Sequence, residues 1–177
     1  MLKTSWLDHL CQTLIELNRT NKTIRVAVVG IGHELRGDDA AGVELARILN
    51  SLSTDQEHLL VIDANSAPEN CTGLLRRFGP DLVIMVDAAQ MDEEPGEVQW
   101  IPWQATVGLG ASTHTLPLHI LANYLTAELE CEVRLLGIQP KSISFGDMSH
   151  EIQKKVTETA FLLAETLCQQ PIKEVRI

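Results

Sequence analysis

Between Val26 and Val43 the chain reads VAVVGIGHELRGDDAAGV. An apolar run breaks at Gly30 and Gly32, and a helix-compatible stretch starts at two adjacent acids, Asp38 and Asp39. Strand, glycine turn and helix is the arrangement that receives a nucleotide phosphate on backbone amides. Two carboxylates at the helix start oppose that ligand, because they set like charge beside it. The dinucleotide fingerprint also asks for a small residue where Leu35 stands, and no Gly-Lys-Ser/Thr follows for a Walker loop. Asp63 closes a second apolar run and mimics an acid that holds a ribose. A nucleotide- or S-adenosylmethionine-dependent enzyme built on Gly30, Gly32 and Asp63 is therefore an alternative, against the grain of the acids.

A different chemistry uses the acids themselves. One carboxylate of the first loop, Asp87 after LVIMV, and His114 after GLGAST form a mixed oxygen and nitrogen donor set. Such a set suits a borderline divalent ion such as nickel or zinc. Each residue also has a plainer role. Asp38 or Asp39 can cap the following helix and complement its dipole, and Asp87 can simply end a strand. His114 alone is as compatible with a structural role, and His119 falls in a helical pattern. His33 and Arg36 flank the turn as loop residues. A carboxylate directly after five apolar residues is nonetheless partly buried by implication, and burial calls for a partner. No serine or cysteine stands beside an obvious base, and no His-Glu-x-x-His helix supports an ordinary zinc protease.

These residues need elements to carry them. IRVAVV (24–29) and DLVIMVDA (81–88) are continuous apolar runs, as in strands buried on both faces. HLLVID (58–63) and CEVRLLGIQ (131–139) predict two more strands, and a short one is expected near 98–101 after the EPG turn. Helices are expected from Asp39 to Ser51, over 68–78 with Pro68 in the first turn, over 116–129, and from about Ser149 to Cys168. Leu7, Leu10, Leu14 and Leu17 recur at helical spacing behind Ser5, a candidate cap. Strands alternating with helices imply an α/β sandwich with a largely parallel sheet and a site at the carboxyl ends of its strands. Asp38, Asp39, Asp63 and Asp87 all follow such ends.

The 177 residues suffice for one domain with its own core: residues 23–177, preceded by a helical extension over 1–22. The 24 acidic and 14 basic residues leave a formal charge of −10, which argues against a nucleic-acid surface. The four cysteines form no C-x-x-C pair, as expected of buried thiols in a reducing cytoplasm. No secretory pattern opens the chain, and no apolar run is long enough for a membrane span. The expectation is a cytoplasmic monomer with no membrane insertion.

The motifs also resemble those of a known family. GIGHELRGDDAAGV (30–43) is similar to the opening motif of the hydrogenase maturation proteases, and IDANSAPEN (62–70), VDA (86–88), PGE (95–97), THTLPL (113–118) and LGIQP (136–140) follow in the family's order. The last segments resemble most the branch acting on formate-hydrogenlyase-type hydrogenases. The resemblance runs from about Ile24 into the final helix. It implies a three-layer α/β/α fold and an endopeptidase that removes a C-terminal extension from a nickel-loaded hydrogenase large-subunit precursor. It further implies that nickel is presented by that precursor and met by Asp39, Asp87 and His114, which serve both as metal ligands and as the catalytic set, with Asp38 in support. A maturation chaperone that binds nickel-loaded precursor without cutting it would use the same residues. Two positions depart from the family pattern: His33 replaces an asparagine, and Ala64-Asn65 replaces a pair of glycines.

Overall fold

A computed structural model describes residues 5–19, 23–54, 56–107 and 116–169. The elements run α1 (Trp6–Leu17), β1 (Val26–Ile31), α2 (Ala41–Leu52), β2 (Leu59–Asn65), α3 (Thr72–Phe78), β3 (Leu82–Ala88), β4 (Val98–Pro102), α4 (Leu118–Leu129), β5 (Glu132–Ile138) and α5 (His150–Cys168). Short 3-10 turns cover Gly37–Ala40, Pro68–Cys71 and Trp103–Thr106. Among the described residues no helix is long and apolar enough to cross a membrane.

The five strands form one sheet in the order β2-β1-β3-β5-β4. β2, β1, β3 and β5 pair in parallel, and β4 closes the edge antiparallel to β5. β1 and β3 are buried along their whole length, which accounts for their unbroken apolar runs. Alternate side chains of each strand enter different cores. Val26, Val28, Leu82, Ile84 and Val86 meet α1, α2 and α5, whereas Ala27, Val29, Val83 and Met85 meet α3 and α4. The result is a three-layer α/β/α sandwich, as expected.

α2 lies unusually close to the sheet. A methyl group on Gly42 would run into the backbone carbonyls of Val86 and Ile31, and one on Gly30 would run into the carbonyl of Gly42. Glycine at both positions lets the helix backbone sit directly on β1 and β3. Gly30 and Gly42 thus have a packing role that calls for no bound phosphate.

α1 begins in a reciprocal capping box. The Asp8 N–H donates to Ser5 Oγ at 3.2 Å, and the Ser5 N–H donates to Asp8 Oδ2 at 3.0 Å. Leu10 and Leu14 are fully buried in the core shared with α2 and α5, and the helix packs against β4. α1 is thus a packed member of that helix layer.

Two helices start differently from expectation. The stretch expected to be helical from Asp39 opens as the 3-10 turn Gly37–Ala40, and the 68–78 stretch opens as the turn Pro68–Cys71. Neither turn has a side-chain cap. Asp38 is engaged elsewhere, as described next.

Candidate functional site

The strand order reverses direction between β1 and β3. From β1 the chain goes to β2 on one side, then returns to β3 on the other. The carboxyl ends flanking such a switch point are where open α/β sheets hold ligands. The turn Gly37–Ala40 follows β1 there, and Asp87 is the penultimate residue of β3. Asp38, Asp39 and Asp87 are only 0%, 2% and 2% exposed, so three carboxylates are buried along one edge of the sheet. Buried carboxylates are costly unless hydrogen bonds, cations or metals meet them.

Asp39 is held from the loop that leaves β1. The His33 N–H donates to Asp39 Oδ2 at 3.0 Å. Gly32, at φ +146°, brings that loop against the Asp39 backbone, since any side chain there would run into the Asp39 carbonyl. Gly32 in turn donates its N–H to the carbonyl of Asn65 at 2.9 Å, tying the β1 and β2 loops together. Asn65 sits at φ +52°, a left-handed conformation that asparagine tolerates better than most residues. At the Ala64-Asn65 departure from the family glycines, the left-handed step thus falls on Asn65.

The His33 departure has a similar account. His33 Nδ1 accepts the Leu35 N–H at 3.2 Å. An asparagine side-chain oxygen makes the same bond to an N–H two residues on. Histidine reproduces the asparagine turn, and Nε2 is left as the ring nitrogen directed away from that bond.

Asp38 does something that local sequence does not reveal. Its Oδ2 accepts the N–H groups of Lys141 and Ser142, both at 2.8 Å, and the Ser149 hydroxyl at 3.0 Å. Its Oδ1 accepts the Ser149 N–H at 2.7 Å. The Asp38 N–H adds a bond to the Ser142 carbonyl at 2.9 Å. Asp38 thus fastens the segment between β5 and α5 to the turn that carries Asp39, and its charge lies at the start of α5, where the helix dipole favours it. All four hydrogen bonds come from the segment between β5 and α5.

Asp63 is committed as well. Arg47 Nε donates to its Oδ2 at 2.8 Å, while Arg47 NH2 reaches Glu34 at 3.0 Å. These two carboxylates, Asp63 foremost, raise the Arg47 pKa. The acid that mimicked a ribose ligand is part of a surface ion-pair bridge. His119 lies in the first turn of α4. His114 and the glycine-rich stretch before it lie outside the described residues. Among the described residues no three His, Cys, Asp or Glu side chains gather into a group able to hold an ion. The described part of the expected donor set is therefore Asp39 and Asp87.

Sequence reasoning passed over Gln139. It is 3% exposed at the end of β5, and its Oε1 accepts the Met91 N–H at 2.8 Å. Its Nε2 donates to Gln90 and to the Pro140 carbonyl, both at 3.2 Å. Gln139 anchors the loop that follows Asp87. The available signal was a lone amide directly after the apolar run LLGI.

Burial disfavours the thiolate form of all four cysteines. Burial pushes the Cys131 pKa up to about 11, and burial is also the largest cause raising Cys11, Cys71 and Cys168. At pH 8 the thiolate fraction of Cys131 is about 100-fold below that of a free cysteine. Peptide mapping after brief treatment with a thiol reagent should find Cys131 unlabelled in the folded protein and labelled in denaturant. Rapid labelling of the folded chain would contradict its placement.

A family model described as HycI, hydrogenase maturation protease, matches residues 43–170. The hydrogenase 3 maturation protease of Escherichia coli K12 is 33% identical over 132 residues, covering 74% of this chain and 83% of that protein. The crystal structure of a NiFe hydrogenase maturation protease HycI from Thermococcus kodakarensis superposes with a TM-score of 0.77 at 36% identity, covering 88% and 99% of the two chains. The solution structure of an endopeptidase HycI from Escherichia coli gives a TM-score of 0.69 at 31% identity, covering 78% and 88%.

Proposed function

The chain belongs to the hydrogenase maturation protease family, and from that premise we propose that it cuts a C-terminal extension from a nickel-loaded hydrogenase large-subunit precursor, reading the nickel as its signal. Membership makes it a peptide-bond hydrolase of hydrogenase maturation, and its relatives agree with the branch indicated by the closing motifs. The substrate form, the nickel dependence and the residue roles are our reading. The observation that carries it is the pair of almost fully buried carboxylates, Asp39 and Asp87, at the carboxyl ends flanking the β1–β3 switch point.

In this reading nickel arrives with the substrate. Oxygen donors of Asp39 and Asp87 are suited to a borderline divalent ion, and His114 would add the imidazole nitrogen. A metal ion so placed supplies a Lewis acid that polarises a peptide carbonyl or activates a water. The chain's own contribution is placement. Asp39 is oriented by the His33 N–H, its turn is tied down through Asp38, and the loop after Asp87 is anchored by Gln139. Rigid donors of this kind hold the scissile bond in one geometry, which lowers the entropic part of the barrier. We place the reaction in a reducing cytoplasm, in keeping with four free cysteines.

The test is to mix the protein with purified nickel-loaded precursor and weigh the products by mass spectrometry. A shortened large subunit together with the released C-terminal peptide is the expected result. Stable binding of the precursor with no second fragment would overturn the proposal in favour of a non-cutting checkpoint.

A further inference from the structure

The segment between β5 and α5 leaves the sheet at the same edge as Asp39 and Asp87, because β5 runs parallel to β1 and β3. It is fixed there twice over. Asp38 takes the N–H groups of Lys141, Ser142 and Ser149. Separately, the Gly146 N–H donates to the Leu35 carbonyl at 3.0 Å, and the Gly37 N–H donates to the Gly146 carbonyl at 2.9 Å. Those two bonds make a short parallel bridge between Arg36 and Gly146, which sets Leu35 and Phe145 at adjoining positions.

Both side chains point outward from this fixed frame. Phe145 is 83% exposed and Leu35 is 53% exposed. Single apolar residues on a surface are ordinary. This pair is not ordinary, because a network of hydrogen bonds holds it in place beside the candidate site. Residues around it are polar and exposed, among them Ser142, Ser144 and Asp147. An apolar centre within a polar rim is the anatomy of a protein-binding surface. An aromatic side chain on a fixed backbone has only two side-chain torsions to order when it docks, a property shared with interface hot spots.

We propose that Leu35 and Phe145 form a docking knob that seats in an apolar hollow of the folded hydrogenase precursor, while Asp38 holds the knob at a fixed offset from Asp39. The inference rests on the proposed function: a protein that brings a peptide bond to Asp39 and Asp87 must cover the rim where this pair stands. Leu35 lies four residues before Asp39 in the loop that leaves β1, so the knob adjoins the proposed cleavage site along the chain. The contact is apolar, so high salt should leave it largely intact.

The experiment measures precursor affinity by titration calorimetry, and KM and kcat by mass spectrometry, for the wild type, Phe145→Ala and Phe145→Leu. For Phe145→Ala we expect Kd and KM to rise about 10- to 30-fold with kcat within about twofold, the scale of a lost aromatic anchor. Phe145→Leu keeps an apolar knob and should recover most of the affinity. Melting temperatures should match, because an exposed side chain adds little to folding. Unchanged Kd in Phe145→Ala, or a fall in kcat at constant KM, overturns the knob while leaving the function standing. If the wild type binds precursor without cutting it, the Kd comparison still decides the knob and only the protease reading fails. If the wild type does not bind precursor, both fail.

Discussion

Asp39→Asn should lower the rate of precursor processing by about 10²- to 10³-fold and leave the melting temperature close to that of the wild type. The magnitude follows from losing a charged oxygen donor where a metal would stabilise developing charge, an effect of several kcal/mol. The fold should survive because the asparagine carbonyl can still accept the His33 N–H that now goes to Asp39 Oδ2. Gly32 and the Gly37–Ala40 turn keep their backbone geometry, since the change alters charge but hardly alters shape. Single-turnover cleavage followed by mass spectrometry, with a thermal melt of the same sample, checks both halves. Processing at the wild-type rate would remove Asp39 from the reaction, and a collapsed melt would make it a structural residue.

Asp38→Ala should do the reverse in kind. Removing this carboxylate strips partners from three backbone N–H groups and the Ser149 hydroxyl. Hydrogen bonds to a charged acceptor contribute about 1.5–3 kcal/mol each, but they do not add in full. Lys141 and Ser142 lie in an exposed stretch where water can replace part of the loss. A net destabilisation of about 3–4 kcal/mol is expected, which in a domain of this size lowers the melting temperature by about 6–16 °C. Asp38→Asn should recover only part of the loss, because its single carbonyl oxygen can replace Oδ2 while its NH2 group then faces the Ser149 N–H. Affinity for precursor should fall as well, since the loop bearing Phe145 loses its anchor. An unaltered melt in Asp38→Ala would show that the β5–α5 segment is held by other means. The adjacent acids are thus expected to separate, with Asp39 affecting turnover and Asp38 affecting the fold.

That separation was only partly legible in the sequence. The buried strands could be read from unbroken apolar runs because β1 and β3 are covered on both faces. The carboxyl-end location of the acids followed from strand-helix alternation. What could not be read was every contact that joins distant segments. The bond from Asp38 to Ser149 spans 111 positions, so local reasoning offered only a cap on α2. The same blindness hid the Arg36–Gly146 bridge and with it the neighbouring exposed pair. Asp63 read as a ribose-type acid because its partner, Arg47, lies sixteen residues away on a helix face. His33 looked like a disruption because the family pattern has asparagine there. Its ring nitrogen instead makes the bond that an asparagine side chain makes. Gly30, which with Gly32 suggested a phosphate turn, serves together with Gly42 the close seating of α2 on the sheet.

The proposed nickel signal requires that this protein cut only precursor that already carries nickel. The most direct measurement compares initial cleavage rates for nickel-loaded and nickel-free forms of one precursor, followed by mass spectrometry at equal concentrations. Prompt release of the C-terminal peptide is expected from the loaded form, with release from the nickel-free form at least about 100-fold slower. Equal rates for the two forms would contradict it, and would mean that Asp39 and Asp87 serve some purpose other than meeting the metal.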